Sequence, residues 1–116
     1  MSATAEALRR PAPLQADSLL STDHKRTASK LAILAFACFL AGGLLALVMR
    51  TELAQPGLQV VSADTYDELF TMHGSLMIYF VMTPLALALG LYFVPLQIGA
   101  AEVAAPRLTS FGFWLI

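Results

Sequence analysis

Two long runs without a formal charge dominate this chain. Leu31 to Met49 holds nineteen consecutive uncharged, mostly apolar residues, and Leu69 to Ile98 holds thirty, of which His73 is the one ionisable residue besides tyrosine. About 20 apolar residues in a helix cross the hydrocarbon core of a bilayer. A backbone in hydrocarbon must satisfy its own hydrogen bonds, which restricts a span to a helix or a strand of a closed barrel. The apolar residues here are blocked rather than alternating, so the helix is the reading. A third apolar stretch opens at Phe111 and reaches the last residue, Ile116. The expected fold class is all-α and integral to the membrane, with two complete transmembrane helices and the start of a third. Its segments are an amino-terminal tail (1–29), a first span (30–50), an outer loop (51–68), a second span (69–94), a loop (95–110) and the opening of a third span (111–116). The chain reads as the amino-terminal piece of a larger membrane protein.

Composition agrees. The chain is 58% hydrophobic and only 13% charged, about half the charged fraction of a soluble domain. A net charge of −1 describes no nucleic-acid partner; the bilayer is the expected surroundings. The placement of charge says more. Arg9, Arg10, Lys25, Arg26 and Lys30 precede the first span, whereas Arg50 at the helix edge is accompanied by Glu52, Asp64, Asp67 and Glu68. The positive-inside rule then puts the amino terminus in the cytoplasm, loop 51–68 outside, and Arg107 back in the cytoplasm. No signal peptide is visible, since the first twenty residues lack an apolar core. Cys38 lies within the first span and reads as a packed thiol.

Local signals divide the rest. Residues 1–20, rich in Ala, Pro and polar side chains, read as a mobile tail. Gly42-Gly43 leaves room beside the first span, either for close helix packing or for a flat cofactor. Pro56-Gly57 marks a turn over its outer end. Thr65 with Glu68 three residues on predicts a capping box at the start of the second helix. Pro84 predicts a local kink and Pro95 the end of the span.

His73 is the candidate for chemistry. An ionisable side chain at membrane depth is costly and marks a functional site by default. A neutral imidazole is a good axial ligand for haem iron, and the competing reading is a histidine hydrogen-bonded across helices. Met77, Phe80 and Pro84 follow at helical spacing, so His73 heads one inward stripe. Arg50 either snorkels to the headgroups or donates hydrogen bonds to a cofactor substituent. Glu52, beside a Pro-Gly turn, is either a solvated acid or part of a hard-cation site.

Four blocks together resemble subunit I of the haem–copper oxidases, nearest to bacterial cytochrome c oxidase. They are Thr22-Asp23-His24-Lys25-Arg26, Met49-Arg50-Thr51-Glu52-Leu53-Ala54-Gln55-Pro56-Gly57, Leu69-Phe70-Thr71-Met72-His73-Gly74 and Val94-Pro95-Leu96-Gln97-Ile98-Gly99-Ala100, and the resemblance covers 21–116. It implies that His73 is an axial ligand of a low-spin haem, haem A, and that Arg50 hydrogen-bonds its formyl group. It implies that Glu52 and Gly57 help bind calcium or sodium. The second axial histidine, the high-spin haem ligand and the copper ligands belong to later helices of a bundle of about twelve. The implied enzyme sits in the bacterial plasma membrane with subunits II and III. It takes electrons from cytochrome c, reduces O2 to water and translocates protons; this chain alone is expected to be inactive. The alternatives are a quinol oxidase of the same superfamily and a non-catalytic two-helix membrane protein.

One block departs from the family's pattern. The usual proton-entry motif Ala-Pro-Asp-Val-Ala-Phe-Pro-Arg-Leu-Asn stands here as Ala100-Ala101-Glu102-Val103-Ala104-Ala105-Pro106-Arg107-Leu108-Thr109. Glu102 replaces the entry aspartate, while Thr109 and Leu91 replace two asparagines. A glutamate titrates close to an aspartate and can still deliver a proton. Losing two amides predicts a weakened hydrogen-bonded relay by this route.

Overall fold

The computed structural model describes residues 22–116, so the expected mobile tail and the charges at Arg9 and Arg10 lie outside the described residues. The described residues are helical and contain no strand. Helix α1 spans His24–Glu52. A second long helix runs from Ala63 to Gln97 in three parts: α2 (Ala63–Ser75), a π-helical segment (Leu76–Met82) and α3 (Thr83–Gln97). A short α4 covers Pro106–Trp114. The two long helices have 29 and 35 residues, and both are long and apolar enough to cross a membrane. At 1.5 Å per residue they measure about 44 and 52 Å, more than the hydrocarbon core requires.

They pack as an antiparallel hairpin. Ala28, Ser29 and Ala32 near the start of α1 share a small groove with Ala88, Leu89, Tyr92 and Phe93 near the end of α3. The buried residues of α1 are His24, Thr27, Ala28, Leu31, Ala35, Gly42, Met49 and Glu52, a stripe at three-, four- and seven-residue spacing. Such a stripe is the narrow seam of two helices rather than the broad face of a globular core. Only 17% of the apolar window of each long helix is buried. Ile33, Leu44, Leu47, Tyr79 and Met82 are each at least 65% exposed. Water would not tolerate that surface; lipid and further helices would.

The helices extend beyond the expected spans, and one cap differs from expectation. Helix α1 begins at His24, six residues before the expected span, because Asp23 caps it: its carboxylate accepts from Lys25 N–H at 2.9 Å. The cap of α2 is Ser62 rather than Thr65. Ser62 Oγ accepts the Thr65 N–H at 3.3 Å and lies 2.9 Å from Thr65 Oγ1. Thr65 is therefore the third residue of the helix, one turn further in than the capping-box pattern places it. The second helix runs two residues past Pro95, to Gln97. Gly99 follows its end with a φ of 71°, the left-handed conformation that glycine adopts without strain. Gly99 N–H bonds to Leu96 O, and Ala100 N–H to Pro95 O at 2.9 Å, which closes a Schellman motif.

The expected distortion at Pro84 takes the form of the π segment. Proline has no N–H, and its ring clashes with the carbonyl four residues back in a regular helix. Here the ladder widens to i→i+5 just ahead of it: both the Thr83 N–H and Thr83 Oγ1 bond to Ile78 O, the hydroxyl at 3.0 Å. The widening takes up extra residues and shifts the helix phase. Val81 and Pro84 are therefore buried, whereas Phe80, placed on the inward stripe by regular spacing, is 41% exposed.

We expect Ser62→Ala to destabilise the hairpin by about 1 kcal/mol, the usual value of a hydroxyl cap. Glu68→Ala should change little, and denaturant unfolding in detergent micelles checks both; equal losses would restore the Thr65–Glu68 box.

Candidate functional site

His73 lies three residues before Leu76, where the π segment begins, half-buried on the seam of the hairpin. Its Nδ1 is 2.9 Å from the carbonyl oxygen of Gly42 on α1. A carbonyl can only accept, so Nδ1 carries the proton and donates. In the neutral ring that leaves the Nε2 lone pair free, and Nε2 has no hydrogen-bond partner among the described residues. The two readings of this histidine are thus compatible. One nitrogen ties the helices together, and the other retains the form that binds a metal.

Gly42 explains why this contact is possible. A Cβ built on it would stand 2.9 Å from Met77 Sδ and 3.2 Å from Leu76 Cδ2, both side chains of the π segment. Close packing is therefore what Gly42 serves; its neighbour Gly43 has nothing within 4 Å and faces open space.

Arg50 and Glu52 stand at the far end of α1. Arg50 is exposed in the last turn, where its charge faces the negative end of the helix dipole. It lies about 12 Å along the axis beyond Gly42, at eight residues of 1.5 Å rise. Among the described residues it forms no ion pair or hydrogen bond. Glu52 is engaged. Its Oε1 accepts the N–H of Gln59 at 2.9 Å, and its Oε2 accepts those of Val60 at 2.6 Å and Val61 at 3.0 Å. The side chain is buried, and the N–H groups of Gln59, Val60 and Val61 hold its carboxyl below the usual carboxylate range by stabilising the ionised form. The loop between the spans is therefore folded back onto the end of α1. Gln59 Nε2 donates to Pro56 O at 3.1 Å, and Gly57 takes a φ of 96° in the turn between them. Glu52 and Gly57 line one cavity of about 550 Å³, with Tyr66 and Asp67 on its opposite wall.

A hard cation needs six or more oxygens. This cavity offers what remains of the Glu52 carboxylate, the Asp67 carboxylate and turn carbonyls, and the described residues contain no metal-holding cluster of three or more His, Cys, Asp or Glu. Any such ion would need donors from elsewhere.

At the opposite end, Glu102 is exposed in the loop between Gly99 and α4. Thr109 lies in the first turn of α4, its hydroxyl bonded to Ala105 O at 3.0 Å. A hydroxyl spent on its own helix does not do the work of an asparagine amide. Cys38 is a free, half-buried thiol in α1. The structure thus brings His73 to Gly42, and Glu52 to its loop, while Glu102 sits a full helix length away.

Comparison with known proteins decides the family. A model described as "Cytochrome C and Quinol oxidase polypeptide I" matches residues 26–116. The chain belongs to this family. A probable cytochrome c oxidase subunit 1-alpha of Streptomyces coelicolor is 46% identical over 97 residues, covering 84% of this chain and 17% of the relative. A probable subunit 1-beta of Nocardia farcinica is 50% identical over 95 residues, covering 82% and 16%. A putative subunit 1-beta of Streptomyces avermitilis is 44% identical over 115 residues, covering 97% and 20%. The chain thus spans about a fifth or less of the length of the curated relatives it matches. The family expected from the four blocks is the one found.

Three participants escaped the sequence reading. Ser62 was masked by the better-looking pattern at Thr65, Met77 was placed on the stripe without a partner, and the Gly42 carbonyl is a backbone group with no sequence signal.

We expect Glu52→Ala to free the amides of Gln59, Val60 and Val61, which should then exchange hydrogen for deuterium far faster than in the parent. Unchanged protection at these three amides would show that the loop holds without the carboxylate.

Proposed function

We propose that this chain is the amino-terminal part of a cytochrome c oxidase subunit I, with His73 as an axial ligand of the low-spin haem through Nε2. The supporting observation is the hydrogen bond from Nδ1 to the Gly42 carbonyl, which fixes the tautomer and leaves the other nitrogen free. The same arrangement, a metal-binding histidine donating its second N–H to a backbone carbonyl, orients the ring and raises its basicity as a ligand. A haem held there supplies one-electron redox chemistry, with haem A the subtype the family resemblance implies.

The chain's own residues set the conditions for that chemistry. His73 presents a fixed lone pair at a seam between apolar helices, where water is scarce. Arg50 places a positive charge, unpaired among the described residues, about 12 Å further along α1, where it would donate hydrogen bonds to the haem's formyl substituent. Positive charge near a haem favours its reduced form and so raises its potential. Glu52 holds the outer loop over the end of α1; with Gly57 it contributes one carboxylate position and turn carbonyls to a calcium or sodium site completed by other segments.

Orientation follows from charge. Lys25, Arg26 and Lys30 lie at the same end of the hairpin as α4, because Lys30 Nζ sits 5.5 Å from the Phe113 ring centroid. Arg107 lies in the first turn of α4, so Lys25, Arg26, Lys30 and Arg107 share this end with Asp23 and Glu102, whereas the other end carries Arg50 with Glu52, Asp64, Asp67 and Glu68. We therefore assign the basic end to the cytoplasm and the Arg50 end to the outer face of a bacterial plasma membrane. The names of the relatives favour cytochrome c over quinol as the electron donor. The whole subunit, with its copper and high-spin haem and with subunits II and III, would reduce O2 to water. Glu102 is the proton entry point on this chain, but with Thr109 bonded to its own helix the route into the membrane lacks a relay amide, so its proton traffic is reduced.

In the assembled oxidase, His73→Ala should abolish the low-spin haem absorption band, and a retained band excludes His73 as ligand. Arg50→Met should shift that band and lower the haem's midpoint potential; if neither moves, Arg50 only anchors the helix end.

A further inference from the structure

We propose that Gly42 is a positioning residue for His73, acting twice: its carbonyl fixes the imidazole, and its missing side chain sets how closely the second helix approaches. This rests on the reading of His73 as the haem ligand and adds what determines that ligand's strength.

The geometry couples the two roles. His73 and Met77 are one turn apart on the same strip of the second helix. His73 Nδ1 reaches the Gly42 oxygen at 2.9 Å, while Met77 Sδ occupies the place where a Cβ of residue 42 would stand, at 2.9 Å. Leu76 Cδ2, at 3.2 Å from the same point, closes the other side. Both crowding side chains open the π segment. A methyl group at position 42 must therefore shift the ends of the Met77 and Leu76 side chains or move the second helix away. We expect the helix to move, because the two side chains flank the position together; that movement lengthens or tilts the bond to His73, whose acceptor is the backbone of the same residue. Gly43 supplies the control, since a methyl there meets nothing within 4 Å.

The consequence for a ligand follows from proton sharing. Donation from Nδ1 to a carbonyl increases electron density on Nε2 and strengthens it as a donor to iron. Weakening that bond leaves a poorer donor, favours the reduced metal and raises its potential. It also releases the tautomer, because the proton is held on Nδ1 by that carbonyl alone among the described residues.

Two readouts test this. In the chain itself, labelled with 15N-histidine and placed in lipid nanodiscs, only two histidines contribute signals, and His73→Gln assigns them. The parent and Gly43→Ala should show a single Nδ1–H tautomer for His73. Gly42→Ala and, more strongly, Gly42→Val should show a second, Nε2–H signal. Met77→Ala combined with Gly42→Ala should return the spectrum towards the parent. In the assembled oxidase, Gly42→Ala should raise the low-spin haem's midpoint potential and shift its band, with Gly43→Ala silent and Met77→Ala again restoring. Loss of haem in Gly42→Val that Met77→Ala repairs counts for the proposal; loss that it does not repair counts against it. A single Nδ1–H tautomer in both Gly42 variants overturns it. If His73→Ala keeps the low-spin band, the ligand reading falls while the tautomer result still judges Gly42.

Discussion

The approach of two helices at Gly42 organises this hairpin. Membrane helices gain little from the hydrophobic effect against one another, because lipid tails are as apolar as leucine; they associate through close packing and polar contacts. At Gly42 the chain uses both. The absent side chain admits Met77 and Leu76, and the carbonyl receives His73. Neither contact would suffice alone. The histidine is costly to bring to this depth unless its N–H is satisfied, and the carbonyl is reachable only because residue 42 has no Cβ. The polar group that carries the proposed chemistry is thus also part of what holds the helices in register.

Much of this was legible in the sequence, but unevenly. Nineteen uncharged residues from Leu31 to Met49 can hardly be anything but a span, and the four motif blocks identify the family. His73 could be singled out by depth and residue type. What could not be read was its partner, since a backbone carbonyl 31 residues away leaves no trace in side-chain patterns. Nor could Phe80 be placed, because counting by 3.6 residues assumes an unbroken ladder. Pro84 signals that a distortion is near, yet the sequence does not say whether the helix will kink or widen. It widened, and Val81 took the inward position.

The outer end shows a different limit. The run Glu52 to Gly57 resembled a solvated acid beside a turn or half a cation site, and the structure gives the carboxylate a further task. Three consecutive amides converge on it, an arrangement that requires the chain to double back after Pro56-Gly57. Arg50, two residues back on the same helix, does not face this carboxylate, so the loop contact and the arginine are independent features of the outer end.

The two ends of the hairpin therefore differ in how far their chemistry is built from this chain. Around His73, the proposed ligand, its orienting carbonyl and the glycine that permits the contact lie on two adjacent helices. Around Glu102 the reverse holds. The carboxylate stands in an exposed loop, and Thr109, seven residues on, turns its hydroxyl to Ala105. A relay needs groups that can both donate and accept toward water, and a hydroxyl donating to its own helix has given up its donor. The family's usual asparagine carries two N–H donors besides its oxygen, so it can bond its helix and still face water. Exchanging amide for hydroxyl at this position removes that surplus. The end proposed to handle electrons is thus built from contacts within this hairpin, whereas the Glu102 end offers an exposed carboxylate and a hydroxyl bonded to its own helix.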